Sequence, residues 1–224
     1  VEVIGKNMTE PENRCRLVLI VPDEADADRQ AKLLGEALSG GDVASVILPQ
    51  YEMDDQSFQK RAEVLVSMIQ DAGAAAIIAG DSRIAGRVKA DGLHLSGSVE
   101  DLAEAIEKFA PKLIVGAGGA TERHAALEIG EARPDYIFFG RFDGDIKPEA
   151  HPKNVALAEW WASMIEIPCI VMGGNDAESV VVAAESGAEF VALRGAVFDA
   201  AESPAAVVAR VNLLLDEKAP RFED

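Results

Sequence analysis

Two stretches near the end of the chain, Ile167-Pro-Cys-Ile-Val-Met-Gly-Gly174 and Ala188-Glu-Phe-Val-Ala-Leu-Arg-Gly195, decide the fold class. Each is a short apolar run rich in β-branched residues, each ends in glycine, and each precedes a segment with helical patterning. Uninterrupted runs of this kind read as strands buried on both faces, as in a parallel sheet covered by helices. Glycine at a strand exit lets backbone N–H groups approach a ligand closely, and a following helix adds unpaired donors. Two such exits side by side, at the last two strands of an eight-stranded barrel, form that fold's usual phosphate cup. The stretches therefore point to a phosphorylated small molecule held by Gly173, Gly174 and Gly195. Tight turning without a ligand is the competing account of these glycines. Arg194 reads equally as a phosphate ligand or as a solvated charge at a strand end.

Upstream, the same strand-then-helix unit recurs. Residues 16–22 (RLVLIVP) precede a helical pattern over 23–38, and 43–48 precede 54–72, where Phe58, Ala62, Leu65, Val66 and Ile69 recur at helical spacing. Residues 74–79 lead to a short helix near 83–89. Residues 92–95 lead to 98–109, with Ser98 as N-cap and Asp101 in the capping-box position. Residues 112–115 lead to 121–131, and 136–139 lead, after a long loop, to 155–165. Helices at 176–186 and 196–217 follow the last two strands. Eight alternating units imply parallel strands with right-handed crossovers, and eight favour closure: a (β/α)8 TIM barrel over 16–217. Residues 1–15 read as a loose arm and 218–224 as a tail. An open dinucleotide-binding sheet would carry Gly-x-Gly-x-x-Gly after its first strand, where this chain has Pro22-Asp-Glu-Ala.

Composition bounds the function. At 224 residues and 49% hydrophobic, the chain suits one compact barrel with a sizeable core. A formal charge of −18 argues against nucleic-acid and anionic-membrane partners, both of which need clustered Lys and Arg. It also sets the overall field against an anionic substrate, so local donors must overcome it. No apolar run reaches the ~18 residues that span a bilayer, and no signal-peptide pattern is seen. Cys15 and Cys169, far apart in sequence, read as reduced core thiols. Cytoplasm is the expected compartment.

Four segments stand in one family's order and spacing: Ala90-Asp-Gly-Leu-His-Leu95, Pro134-Asp-Tyr-Ile-Phe-Phe-Gly140, Ile167–Gly174 and Gly187–Phe198. They resemble the thiamine phosphate synthases and the related thiazole tautomerases, over roughly residues 16–216. The resemblance implies a transferase. An aminopyrimidine methyl diphosphate loses pyrophosphate, and a thiazole phosphate nitrogen captures the resulting cation. It also implies Mg2+ and basic side chains for the pyrophosphate, with the thiazole phosphate in the cup after strands 7 and 8. Departing pyrophosphate needs positive charge where negative charge develops, whereas a spectator phosphate needs only preorganised backbone. A noncatalytic barrel binding a phosphorylated metabolite, and a different superfamily enzyme using the same cup, are the alternatives.

Position by position, the resemblance places phosphate on Gly173, Gly174, Arg194 and Gly195. The family's basic cluster after strand 2 is replaced by Leu48-Pro-Gln-Tyr-Glu-Met53, where Gln50 and Tyr51 are the polar candidates. Of the expected Mg2+ carboxylates one remains, Asp81. A histidine expected after strand 5 is absent, and His124 falls within a helix. In the loop after strand 6, Lys147 matches the family lysine and Arg141 adds a charge, so both are candidates for pyrophosphate. Asp143 and Asp145 replace hydroxyls, and as carboxylates they would repel pyrophosphate unless they bind a cation. A structureless loop of this length reads as a lid. His94, near the exit of strand 4, is either a hydrogen-bonded barrel-lining residue or a catalytic one.

Overall fold

The computed structural model describes residues 13–222. Its eight strands are all parallel and close in chain order, so the expected (β/α)8 barrel is the observed one. The first half runs β1 (Arg16–Ile20), α1 (Ala27–Leu38), β2 (Ser45–Pro49), α2 (Asp55–Asp71), β3 (Ala75–Ala79), α3 (Ser82–Arg87), β4 (Gly92–Leu95) and α4 (Val99–Phe109). The second half runs β5 (Ile114–Ala117), α5 (Arg123–Glu131), β6 (Tyr136–Phe139), α6 (Pro152–Met164), β7 (Cys169–Met172), α7 (Ser179–Glu185), β8 (Phe190–Leu193), α8 (Gly195–Phe198) and α9 (Pro204–Lys218). Helices start where short polar side chains cap them: Asp26, Asp54 and Ser98 each accept a hydrogen bond from a first-turn N–H.

Strand alternation splits the apolar residues into two layers. Leu17 and Leu19 of β1 belong to the large layer between strands and helices. Val18 and Ile20 belong to a second cluster inside the barrel, with Ile47, Ile77, Tyr136, Phe138, Ile170, Met172 and Ala192. The interior is thus a packed core with its opening at the strand C-termini. Bulk is unevenly shared around it. On β5, a Cβ at Gly116 would stand 1.9 Å from Cζ of Tyr136, and beyond the strand one at Gly118 would stand 2.8 Å from Nε2 of His94. Missing side chains on that wall make room for the Tyr136 ring and the His94 imidazole.

Three local readings are corrected. β5 lies two residues later than the sequence suggested, because its second half is Gly116-Ala117, which carries no β-branched signal. α6 begins at Pro152, not 155, with His151 as N-cap and proline at the first position, where its missing N–H is harmless. The single helix expected over 196–217 is two, because Ser203 caps a new start at Pro204. Of the expected arm, residues 1–12 lie outside the described residues. Arg14 and Cys15 are buried; the Arg14 side chain donates to Asp216 at 2.7 Å, and its backbone forms an isolated antiparallel β-bridge with Arg221.

Candidate functional site

The barrel mouth holds a cavity of about 540 Å³ lined by Asp23, Pro49, Gln50, Tyr51, Ala79, Phe142, Asp143 and Arg194. Backbone parity brings several of them there. Pro49 and Ala79 continue the inward-facing series of β2 and β3, and Arg194 continues Phe190 and Ala192 of β8. Gln50 is tied down locally, donating to the carboxylate of Asp55 at 2.8 Å and to the carbonyl of Met53 at 3.1 Å. Tyr51 donates to the carbonyl of Val21 at 2.7 Å and adopts φ 48°, a left-handed conformation that a bulky residue occupies only where its surroundings hold it. Burial pushes the Tyr51 phenol up to about 12, against the pull of the Arg194 charge, so it stays a neutral donor.

The exits of β7 and β8 lie side by side, and the donors there are bonded within the chain. Arg194 donates from Nε at 3.2 Å and Nη2 at 2.5 Å to one oxygen of Asp145, and the Gly195 N–H donates to the other at 2.6 Å. The Asp145 side chain is fully buried. Burial alone would lower the Arg194 pKa, but the Asp145 hydrogen bond and charge outweigh it and raise it. The Gly173 N–H goes to the carbonyl of Ala192, that of Gly174 to Oγ of Ser179, and that of Asn175 to the carbonyl of Lys147. A Cβ on Gly174 would stand 2.0 Å from the carbonyl oxygen of Pro148. Gly174 is therefore needed by the chain's own β6–α6 loop. Gly174→Val should expel that loop from the corner, read as faster hydrogen exchange across 144–150; unchanged exchange would contradict the packing.

The other candidates from the sequence are spread out. Arg141 forms a bidentate pair with Asp143, at 2.9 and 2.7 Å, on the exposed rim of the mouth. Hydrogen bonding from Arg141, slightly offset by burial, holds the Asp143 carboxyl below the usual range. Each loop carboxylate has thus found a cation within the protein: Asp143 has Arg141, and Asp145 has Arg194. Lys147 is exposed and lies outside the cavity lining. Asp81 caps α3 through the Arg83 N–H at 2.7 Å, and both its oxygens accept from the Arg83 guanidinium, which holds its pKa down. No group of three or more His, Cys, Asp or Glu side chains among the described residues is placed to hold a metal ion.

His94 is buried inside the barrel, its Nδ1 2.9 Å from the hydroxyl of Tyr136 and its Nε2 3.3 Å from Oγ of Ser96. Phe142 packs over it with ring centroids 5.0 Å apart, and Phe142, not His94, faces the cavity. Burial pushes its pKa down to about 3. Between that value and the ordinary 6.5, the unfolded chain takes a proton that the folded one refuses, so stability falls as pH drops. Unfolding at pH 5 should need about 2 kcal/mol less than at pH 7 on this account alone. His94→Gln should remove that part of the slope; an unaltered slope would place the titrating group elsewhere.

Asp23 of the cavity lining and Asp145 of the β7/β8 corner were not assigned as site residues from the sequence. Asp23 stands in Pro22-Asp-Glu-Ala, used there only to exclude a dinucleotide turn. Asp145 reaches its partners across 49 and 50 residues, which no local signal reveals.

Comparison with known proteins adds to this geometry. A family model described as thiamine monophosphate synthase matches residues 17–197. The thiamine-phosphate synthase of Rhodospirillum centenum is 34% identical over 90% of this chain and 98% of its own. That of Hyphomonas neptunium is 32% identical over 94% and 98%. Among solved structures, a thiamine phosphate pyrophosphorylase from Pyrococcus furiosus superposes with a TM-score of 0.75 at 20% identity, covering 92% of this chain and 97% of its own.

Proposed function

Because the chain belongs to the thiamine monophosphate synthase family, we propose that it joins an aminopyrimidine methyl diphosphate to a thiazole phosphate at this mouth, releasing pyrophosphate. The observation that carries the reading is that likeness to named synthases runs the length of both chains, with a polar cavity at the strand ends of the shared barrel. In the reaction the bond between the pyrimidine methylene carbon and the diphosphate oxygen breaks. Pyrophosphate leaves with the electron pair, and the thiazole nitrogen donates its lone pair to the methylene carbon.

The mouth suits the positive charge that develops on the pyrimidine. Asp23 and Asp143 supply carboxylates, and Tyr51 and Phe142 supply aromatic groups, around one cavity. Pyrophosphate is assigned to Lys147 and Arg141. Arg141 must then leave Asp143, at small cost, because an exposed pair is worth under about 1 kcal/mol. Its departure frees Asp143 to face the cation. The thiazole phosphate is assigned to Gly173, Gly174, Arg194 and Gly195. Buried beneath Phe142, His94 holds the Tyr136 hydroxyl and supports the cavity floor.

The family's Mg2+ does not fit the residues at Asp81. Both carboxylate oxygens accept from Arg83, and no group of three or more His, Cys, Asp or Glu side chains among the described residues is placed to hold a metal ion. No step of this account runs through a metal ion. No helix among the described residues is long and apolar enough to cross a membrane, and Cys15 and Cys169 are buried free thiols. We assign the protein to the cytoplasm from its biosynthetic family and its unpaired thiols.

Steady-state kinetics with both substrates test the assignment. Asp143→Asn and Asp23→Asn should each lower kcat on the order of tenfold or more, by removing charge that acts on the developing cation. Lys147→Ala should chiefly raise KM for the diphosphate. Unchanged kcat in both carboxylate variants would put the chemistry elsewhere.

A further inference from the structure

We propose that the loop between β6 and α6 is an internal plug for the β7/β8 corner, with Asp145 as its anion. A phosphate ester then binds there only after this carboxylate withdraws. The carboxylate takes three donor contacts of the kind a phosphate would use: two guanidinium N–H groups of Arg194 and the backbone N–H of Gly195. Its side chain is fully buried, so it shields those donors from any other anion. A second carboxylate crowds the same point, since a Cβ on Gly195 would meet Asp199 Oδ2 at 3.1 Å.

The plug is anchored by backbone as well as by charge. The carbonyl of Lys147 takes the Asn175 N–H at 2.8 Å and that of Pro148 faces the Asp176 N–H at 3.3 Å. Pro148 and Glu149 lie against the bare Cα of Gly174. With the Gly173 and Gly174 N–H groups also bonded internally, all five of these corner amides have partners within the chain. A dianion entering beside Asp145 would meet like charge in a buried setting, so exchange of one anion for the other is the favourable route.

The inference uses the synthase reading only to name the group displaced, and phosphate binding can be measured without turnover. Inorganic phosphate is the probe, titrated into the wild type, Asp145→Asn, Asp145→Ala and the double variant Asp145→Asn/Arg194→Gln, each checked for fold by circular dichroism. Removing the carboxylate charge should tighten phosphate binding about tenfold or more, and the double variant should lose the gain. Asp145→Asn preserves side-chain size, so it decides the question should Asp145→Ala fail to fold. Equal phosphate affinity in the wild type and Asp145→Asn would overturn the proposal, as would a gain that survives loss of Arg194. A gain in a protein that makes no thiamine phosphate would uphold the plug while refuting the synthase reading. Turnover without any gain would do the reverse.

Discussion

Arg194→Ala is expected to destabilise the protein by about 3 kcal/mol, because it leaves the buried Asp145 carboxylate without its cation. Only the Gly195 N–H would then face that charge. Most of the loss comes from the stranded carboxylate, not from the ion pair's own net worth, so removing both partners should cost less than removing the arginine alone. Urea unfolding of Arg194→Ala, Asp145→Ala and the double variant measures this cycle. A double variant no more stable than Arg194→Ala would show that Asp145 does not depend on Arg194 as described.

Gly116→Val should have the larger effect and yield no folded protein. Even the first carbon of a side chain would sit 1.9 to 2.5 Å from three atoms of the Tyr136 ring. That ring has room to shift for one carbon but not for a branched side chain: it is buried among interior side chains, stacked on His94 at 5.7 Å between centroids. Gly116→Ala should retain the fold at a cost near the upper end for overpacking, about 3 kcal/mol. Gly116→Ala/Tyr136→Leu should recover much of it. Thermal unfolding of this series is the check, and a Gly116→Val protein as stable as the parent would refute the account of the barrel interior.

The barrel was legible in the sequence because its strands are short apolar runs, such as Leu17–Ile20 and Tyr136–Phe139, with nothing polar to set a period. Helix starts were legible where a capping side chain marks them, as at Ser98. Reading failed where structure depends on something other than local pattern. The end of β5 carries little strand signal, because Gly116 makes room for the Tyr136 ring and Ala117, in the layer beneath the helices, is not β-branched. The Ser203-Pro204 pair is a standard helix start, masked by the apolar pattern that continues on both sides of it.

The candidate site divides in the same way. The residue types and their strand-end positions were readable, and counting inward parity along β8 from Phe190 would have turned Arg194 toward the mouth. What occupies the corner was not readable. Asp145 could be seen only as a carboxylate in need of a cation, and its partner lies 49 residues away. The family resemblance alone offered Asp81 as a metal ligand; both its oxygens accept from Arg83, two residues on, a pairing that the resemblance does not foretell.

The most direct test of the account is a stoichiometric turnover assay on the wild-type protein. It supplies the aminopyrimidine methyl diphosphate together with the thiazole phosphate, and then each alone. The account predicts thiamine phosphate and pyrophosphate in equal amounts, formed only when both substrates are present. Saturable binding of either substrate with no pyrophosphate released would contradict it, and would leave a barrel that binds a phosphorylated metabolite without transforming it.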